Sequence, residues 1–107
     1  MSLLRSWNVL CWNIRCLHSD AKQLEISNAI ATSGCAIVCL QETKIPSIDL
    51  AFIKSCCPRR YDKFAYNPSS GASGGILTIW NSALFTSTVV STEEFALTIK
   101  FQSTQSA

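Results

Sequence analysis

Residues 35–44 read CAIVCLQETK, an apolar run that breaks abruptly into four polar residues. The apolar part suits a strand that is buried on both faces of a sheet. Because an unpaired carboxylate is costly inside a core, Glu42 should lie at the carboxyl end of this strand, solvated or neutralised by a cation. Open α/β sheets bind their ligands at that end. A surface glutamate that merely terminates the strand would give the same pattern.

An earlier strand is predicted at Trp7–Ile14, where apolar residues fall on both faces of the pleat. Such a strand should be central in the sheet and buried. Two asparagines, Asn8 and Asn13, interrupt the apolar pattern. Asn13, near the end of the strand, is either an ordinary turn residue or a buried amide that orients a neighbouring carboxylate or a phosphate.

A helix should join these two strands. Ser19 or Asp20 can cap its first turn, and it should continue through about Ser33. Gly34 is well placed to end it in a left-handed conformation. Its imperfect apolar stripe consists of Leu24, Ile26, Ala29 and Ile30. Strand, helix and strand at this spacing predict a βαβ unit with parallel strands and a right-handed crossover.

The second half of the chain is predicted to consist of one short helix followed by antiparallel strands. The helix covers Ile48–Cys56 and is stopped by Pro58. The expected strands are Tyr61–Tyr66, which ends at Asn67-Pro68, then Ile76–Trp80, Leu84–Val90 and Phe95–Phe101. The last of these alternates apolar and polar residues, as a half-exposed strand does.

The segment PSSGASGG, residues 68–75, is predicted to be a flexible turn. It matches neither a phosphate-binding P-loop nor a dinucleotide-binding fingerprint, and no helix is expected after it. We interpret its glycines as a tight turn or bulge that lets the next strand start close to its neighbour. Upstream, Arg59 and Arg60 form a local basic pair. The two residues either lie in a solvated loop or contact a phosphate, for which the sequence gives only a weak indication.

The composition indicates more apolar surface than one small domain can bury. Hydrophobic residues make up 48% of the 107 residues and charged residues 15%, below the ~25% charged that is usual for soluble domains. Either an apolar face meets a partner or the chain is part of a larger domain, and we favour the second interpretation. Exposed sheet surface and self-association are therefore expected.

Charge and hydropathy exclude few functions. The formal net charge of +2 is too small to indicate a nucleic-acid-binding surface by itself. No segment approaches the ~18 apolar residues of a membrane helix, so no membrane partner is expected. Asn8, Asn13 and Arg15 interrupt any signal-peptide core after Met1–Arg5. The expected location is intracellular, the nucleus included.

Six cysteines, at positions 11, 16, 35, 39, 56 and 57, are expected to be free and mostly buried thiols. Their spacings are not those of CxxC zinc ligands, and His18 is the only histidine. A disulfide framework would require a secreted protein, and no secretion signal supports it. A non-catalytic, cysteine-rich binding module that holds zinc is the competing class.

Three motifs together resemble a known family. They are Trp12-Asn13-Ile14-Arg15, Leu40-Gln41-Glu42-Thr43-Lys44, and the glycine-rich turn that leads into the strand ending at Trp80. Their combination resembles the start of the endonuclease/exonuclease/phosphatase (DNase I-like) superfamily. The branch that it resembles is the apurinic-type endonuclease domain of plant LINE (non-LTR) retrotransposon reverse transcriptase polyproteins. The resemblance covers the chain from Trp7 to about Phe101.

The resemblance implies an α/β fold, namely the N-terminal half of a four-layer α/β sandwich whose mixed sheet starts βαβ and ends in antiparallel hairpins. It also implies Mg²⁺-dependent phosphodiester hydrolysis and the nicking of DNA. Glu42 would be the magnesium ligand, and Asn13 would belong to the polar cluster around the metal and the scissile phosphate. A hard divalent cation suits this chemistry because it stabilises charge growing on phosphate and polarises the attacking water.

The sequence departs from the family in two ways. Cys16 stands where the family usually has glycine, and Ala36 stands where it often has aspartate. The family's catalytic tyrosine, its Gly-Asp-x-Asn segment and its terminal Asp-His pair all lie beyond the hairpin strands, where this sequence has ended. Residues 1–107 are therefore expected to be a single truncated domain, inactive by itself and lacking the second half of the sandwich. A phosphatase of the same superfamily is the alternative, since that branch also uses a strand-end glutamate.

Overall fold

The computed structural model describes residues 8–70, 73–93 and 96–104. Its elements are β1 (Val9–Asn13), α1 (Asp20–Ser33), β2 (Ile37–Gln41), α2 (Leu50–Cys56), β3 (Lys63–Ser70), β4 (Ser73–Trp80), β5 (Phe85–Glu93) and β6 (Ala96–Ser103). The first four strands form one sheet in the order β1-β2-β4-β3, and β5 and β6 pair as a separate hairpin. Strands β1 and β2 are parallel, whereas the other pairs are antiparallel. The predicted mixed α/β fold that starts βαβ is confirmed.

Helix α1 begins and ends where its capping residues predict. The Ser19 hydroxyl accepts a hydrogen bond from the Lys22 amide at 3.1 Å, which satisfies a donor of the first turn. Gly34 ends the helix in the left-handed conformation, with φ of 68°. The apolar stripe is narrower than expected, because Ile26 and Ile30 are buried whereas Leu24 is 64% exposed.

Arg60 fastens the end of α1 to the loop before β3. Its guanidinium donates to the carbonyl oxygens of Ile30 at 3.1 Å and Ala31 at 3.4 Å, which lie in the last helical turn where carbonyls lack partners. The neighbouring Tyr61 hydroxyl donates to the Cys35 carbonyl oxygen. Arg60 lies in an exposed turn, as the solvated-loop interpretation expects, and its guanidinium in addition binds the end of α1.

The main core lies between the sheet and the two helices. Sheet and helix residues contribute to it together; its fully buried members include Ile14, Ile26, Ile30, Val38, Leu40, Ile53, Leu77 and Ile79. Trp12 and Leu10 of β1 pack against it on the same face. This burial is the principal favourable term that holds α1 and α2 on the sheet.

The opposite face of the sheet is only partly covered. Ile37, Trp80 and Phe85 form a second, smaller core against which Phe101 of β6 packs. Towards β1 the cover ends, and Val9 is 53% exposed. The prediction that the first strand is central and buried is wrong. It is an edge strand, and among the described residues only the face towards the helices is well covered.

Strand β3 is longer than predicted. It continues through Asn67 and Pro68 to Ser70, and β4 begins at Ser73. The expected flexible turn at residues 68–75 is therefore mostly strand. Pro68 is tolerated because β3 is the other edge strand of the sheet, where the missing N–H need not cost a ladder hydrogen bond.

The remaining elements agree with the predictions to within a few residues. Strands β4, β5 and β6 and helix α2 are all found, and partly exposed residues alternate with exposed ones along β6 as expected. Trp7 and Phe95, the predicted first residues of two strands, lie outside the described residues. In the part of the chain that the structure describes, no helix combines the length and hydropathy needed to cross a membrane.

All six cysteines are free thiols, as predicted. Their burial is smaller than predicted, because only Cys56 and Cys57 are buried whereas Cys11 is exposed. Cys11 points away from the main core on the edge strand, since residues alternate between the two faces of a strand.

Asp62 ties the start of β3 to the turn after β4. One carboxylate oxygen accepts from the Ser82 amide at 2.8 Å and the other accepts from the Ser82 hydroxyl at 2.6 Å. These hydrogen bonds lower the pKa of Asp62 from its ordinary value, because they favour the ionised form.

The contribution of Asp62 to stability should be lost in acid. Because its pKa is lowered in the folded state, the stabilisation is complete above the unfolded-state pKa of about 4 and disappears as the pH falls through the folded-state value. We expect the free energies of unfolding of the wild type and Asp62→Asn to differ at pH 7 and to differ less in acid, at a pH below the ordinary aspartate pKa of about 4. Urea denaturation at both pH values measures this, and a constant difference would contradict the role of the charge.

Candidate functional site

The two sequence-predicted site residues lie at one edge of the sheet. Asn13 and Gln41 end neighbouring parallel strands and are register partners, so they belong to the same face. Glu42 follows Gln41 directly. We call this the carboxyl edge and define it as residues 13–18 and 41–45. The structure brings Asn13 and Glu42 to the same edge, and their chemical roles stay predictions.

The backbone of the carboxyl edge is unusual. Arg15, Glu42 and Lys44 have φ values of 63°, 56° and 58°, in the left-handed region that residues with a side chain rarely adopt. In the described part of the chain, every non-glycine residue of this kind lies at this edge. Such conformations persist only where the surrounding structure imposes them, and they concentrate at functional sites.

On one side, the segment after β2 is bound by the start of β4. The Thr43 amide donates to the Gly75 carbonyl oxygen at 3.1 Å, and the Lys44 amide donates to the Gly74 carbonyl oxygen at 2.9 Å. A Cβ atom at Gly75 would collide with Thr43 Oγ1 and come within 3.1 Å of Lys44 N. Gly75 therefore allows β4 to start close to its neighbour, which is the close approach that the sequence predicted.

On the other side, the same segment is bound by the loop after β1. The Leu17 amide donates to the Thr43 carbonyl oxygen at 3.0 Å. His18 Nε2 donates to the Lys44 carbonyl oxygen at 2.6 Å, because a carbonyl oxygen can only accept. Two separate stretches of sequence, one on each side, thus hold residues 43 and 44 through their main chain.

The side chains of the two predicted residues differ in their surroundings. The Asn13 side-chain oxygen accepts from the Arg15 amide at 3.2 Å, and Asn13 is exposed. Asn13 is therefore an ordinary turn residue, the first of the two predicted alternatives, and not a buried amide. The half-buried Glu42 carboxylate makes no hydrogen bond or ion pair with any described residue.

The side chains at the carboxyl edge offer oxygen atoms, the type of ligand that a hard cation binds. Glu42 offers a carboxylate, and Gln41 and Asn13 offer amide oxygens, which are the ligand types that Mg²⁺ prefers. The edge supplies a single carboxylate. Among the described residues, no group of three or more His, Cys, Asp or Glu side chains could hold a metal ion.

Sequence reasoning missed two residues of this region. On sequence grounds, His18 is considered only as a metal ligand, whereas its role in holding Lys44 depends on a contact between residues far apart in sequence. Asn67 was interpreted as a strand-ending signal. Its buried side-chain amide instead donates to the carbonyl oxygens of Glu93 at 2.6 Å and Ala96 at 2.9 Å, which fixes the tip of the β5–β6 hairpin.

A cleft of about 420 Å³ lies between β3 and that hairpin tip, with Asn67, Ser69 and Thr92 among its lining residues. It adjoins the carboxyl edge, because the Ser69 amide donates to the Ile45 carbonyl oxygen at 3.1 Å. The Ser69 hydroxyl is buried and has no hydrogen-bond partner among the described residues. The carboxyl edge therefore opens onto a partly polar cleft.

The fold of this chain is similar to that in the crystal structure of the Xenopus laevis APE2 catalytic domain, with a TM-score of 0.52 and 24% sequence identity. This similarity shows an endonuclease/exonuclease/phosphatase-type (DNase I-like) fold. The match covers 71% of this chain and 24% of that chain. The predicted fold is thus confirmed. The sequence matches no protein-family model, and no curated protein matches it.

Proposed function

We propose that this chain forms part of a Mg²⁺-dependent phosphodiesterase domain that nicks DNA, of the kind found in plant LINE retrotransposon polyproteins. One observation carries the proposal: Glu42 stands at the carboxyl end of β2 in a left-handed conformation, and its carboxylate has no partner among the described residues. A carboxylate that is placed at such an edge and left unpaired is available to a cation or a substrate.

Glu42 would hold the metal ion, and Asn13 would bind the scissile phosphate. The Asn13 side-chain oxygen is already used by the Arg15 amide, which leaves the Nδ2 donor directed by that turn and without a described partner. An amide donor suits a phosphate oxygen. Bound Mg²⁺ would supply the electrostatic stabilisation of the phosphate charge.

We further propose that the 107 residues do not nick DNA by themselves. Mg²⁺ is usually held by one or two carboxylates together with waters and substrate phosphates, and Glu42 is the only carboxylate that the described carboxyl edge contributes. The chain also spans only 24% of the length of the APE2 catalytic domain with which it aligns. Further ligands and the general base would come from the second half of such a domain.

Glu42→Gln tests the proposed metal ligand. The chain should be joined to the second half of a related intact domain, and nicking of supercoiled plasmid should be followed in Mg²⁺. We expect the joined protein to nick and Glu42→Gln to nick at least about tenfold more slowly, because the cation loses a charged ligand. The unjoined chain should not nick.

The matched control is Glu25→Gln, which removes an exposed carboxylate on α1, away from the carboxyl edge. Circular dichroism of each variant must match that of the joined parent. Nicking by folded Glu42→Gln at the parent rate would overturn the assignment, and Glu42 would then be a surface residue that terminates β2.

A further inference from the structure

Helix α2 ends in two adjacent thiols that touch. Cys56 is the last residue of the helix and Cys57 is its C-cap. Their Sγ atoms are 3.6 Å apart and share a hydrogen bond. Both residues are buried within the main core.

One member of this pair faces a cavity that does not belong to the candidate site. Cys57 lines a cavity of about 550 Å³, together with Lys54, Arg59 and Asp62. Asp62 immediately precedes β3, whose first residue pairs with the end of β4, at the edge of the sheet opposite the carboxyl edge. Cys57 therefore borders a space that the proposed phosphodiesterase chemistry does not use, and Cys56 is in contact with Cys57.

The geometry of the pair favours a bridging atom over a direct disulfide. A disulfide joins sulfurs ~2.05 Å apart and usually needs Cα atoms at least about 4.4 Å apart, whereas neighbouring Cα atoms are about 3.8 Å apart. Two sulfurs bound to one atom at about 2.3 Å lie about 3.3 Å apart for a bond angle near 90°, as at a pyramidal atom, and about 3.8 Å apart for a tetrahedral angle. The observed separation of 3.6 Å falls within this range.

Zinc would need further ligands, and no cluster of three or more suitable side chains exists in the described part of the chain. Trivalent arsenic needs only two protein sulfurs, because its third position keeps its own organic group. We propose that Cys56 and Cys57 form a dithiol site that binds a trivalent organic arsenical as a single bridging atom.

The reaction of such a compound, an arsine oxide, is balanced without any oxidant. Two As–S bonds form, the arsenic–oxygen bond breaks, and the oxygen leaves as water with the two thiol protons. The Cys57 hydrogen bond lowers the pKa of the Cys56 thiol, whereas the same bond and burial raise the pKa of Cys57. Either thiol can donate in the shared hydrogen bond, so one sulfur attacks the arsenic and the other then closes the ring.

The chain contains an internal competitor. Cys11 and Cys39 are register partners on β1 and β2, and Cys11 is exposed. Burial raises the pKa of the Cys39 thiol, with a smaller contribution from Cys11. A reagent in solution reaches this second pair more easily than it reaches Cys56 and Cys57. Comparing the two pairs therefore tests whether solvent access or the distance between the sulfurs determines which pair binds the arsenical.

The test is titration of the reduced, full 107-residue chain with phenylarsine oxide. We expect one equivalent to bind, with at least a tenfold weaker affinity for Cys57→Ser and an unchanged affinity for Cys11→Ser. Circular dichroism should verify that each variant is folded. Absence of binding to the wild type, or a loss confined to Cys11→Ser, would overturn the proposal.

A second measurement needs no variant. It identifies the cysteines that bind the arsenical even if Cys57→Ser does not fold. The complex is unfolded briefly in urea, alkylated and digested with trypsin. Cys56 and Cys57 fall alone on the peptide of residues 55–59, whereas Cys11 lies on residues 6–15 and Cys39 on residues 23–44. Protection from alkylation should be confined to the first peptide. Protection of the other two peptides instead would assign the arsenical to the cross-strand pair.

Discussion

Gly75→Ala should lower the free energy of unfolding by roughly 2–5 kcal/mol, the sum of a left-handed backbone penalty and a steric overlap in a packed region. Gly75 has φ of 93°, and a Cβ atom there would overlap Thr43 Oγ1, which is fully buried. Thr43 Oγ1 cannot move aside easily, because its side chain is enclosed and it accepts a hydrogen bond from the Ile45 amide at 3.4 Å. Urea denaturation in dilute solution measures the change.

Gly74→Ala is the matched control. Gly74 has φ of 79°, but a Cβ atom there would meet nothing within 4 Å. Its substitution should lower the free energy of unfolding only by the left-handed backbone penalty of about 1–2 kcal/mol. The difference between the two variants isolates the overlap with Thr43, and Thr43→Ala should recover part of it in the Gly75→Ala background. Equal costs for Gly74→Ala and Gly75→Ala would contradict the close approach.

Ile30→Ala should destabilise the protein by about 2–5 kcal/mol, the range for truncating a large aliphatic side chain in a closed core. Ile30 is fully buried in the main core beneath α1. Thermal or urea denaturation followed by circular dichroism gives the free energy, provided that the transition is cooperative.

Leu24→Ala serves as the control on the same helix, since Leu24 is 64% exposed. Its effect should stay within about 0.5 kcal/mol, as for most surface substitutions. If Leu24→Ala proved as costly as Ile30→Ala, the face that α1 turns towards the sheet would differ from the one described above.

Local signals in the sequence predicted the helices well. The bounds of α1 follow from Ser19 and Gly34, because capping and left-handed termination are decided by neighbouring residues. The βαβ unit followed from spacing alone. These features need no knowledge of the rest of the fold, and each was found where it was expected.

Strand positions within the sheet were harder to predict. The apolar residues on both faces of β1 suggested a central strand, but a sequence pattern does not say which neighbours are present to cover each face. Pro68 suggested a strand end, whereas it lies within β3 because β3 is at the edge of the sheet. Both errors have the same cause: strand order is decided by long-range pairing.

The sequence predicted where the candidate site lies, but it did not predict the hydrogen bonds that hold the site together. Glu42 was expected at the carboxyl end of β2, and it is there. The hydrogen bonds from His18 and to Gly74 that hold its neighbour Lys44 join segments at least 26 residues apart. No spacing rule within one segment could have shown them.

The fold constrains the backbone at position 42 and not its side chain. The presence of glutamate there is therefore a matter of function and not of folding. Its neighbours Thr43 and Lys44 carry the hydrogen bonds that fix the segment, so the fold requires of position 42 only that it accept φ of 56°. Glycine or asparagine would accept that conformation more readily than glutamate. If Glu42 holds a metal ion as proposed, relatives that have lost that role should therefore change position 42 early and keep Gly75 for much longer. Comparison of related sequences at these two positions would separate loss of the proposed activity from loss of the fold.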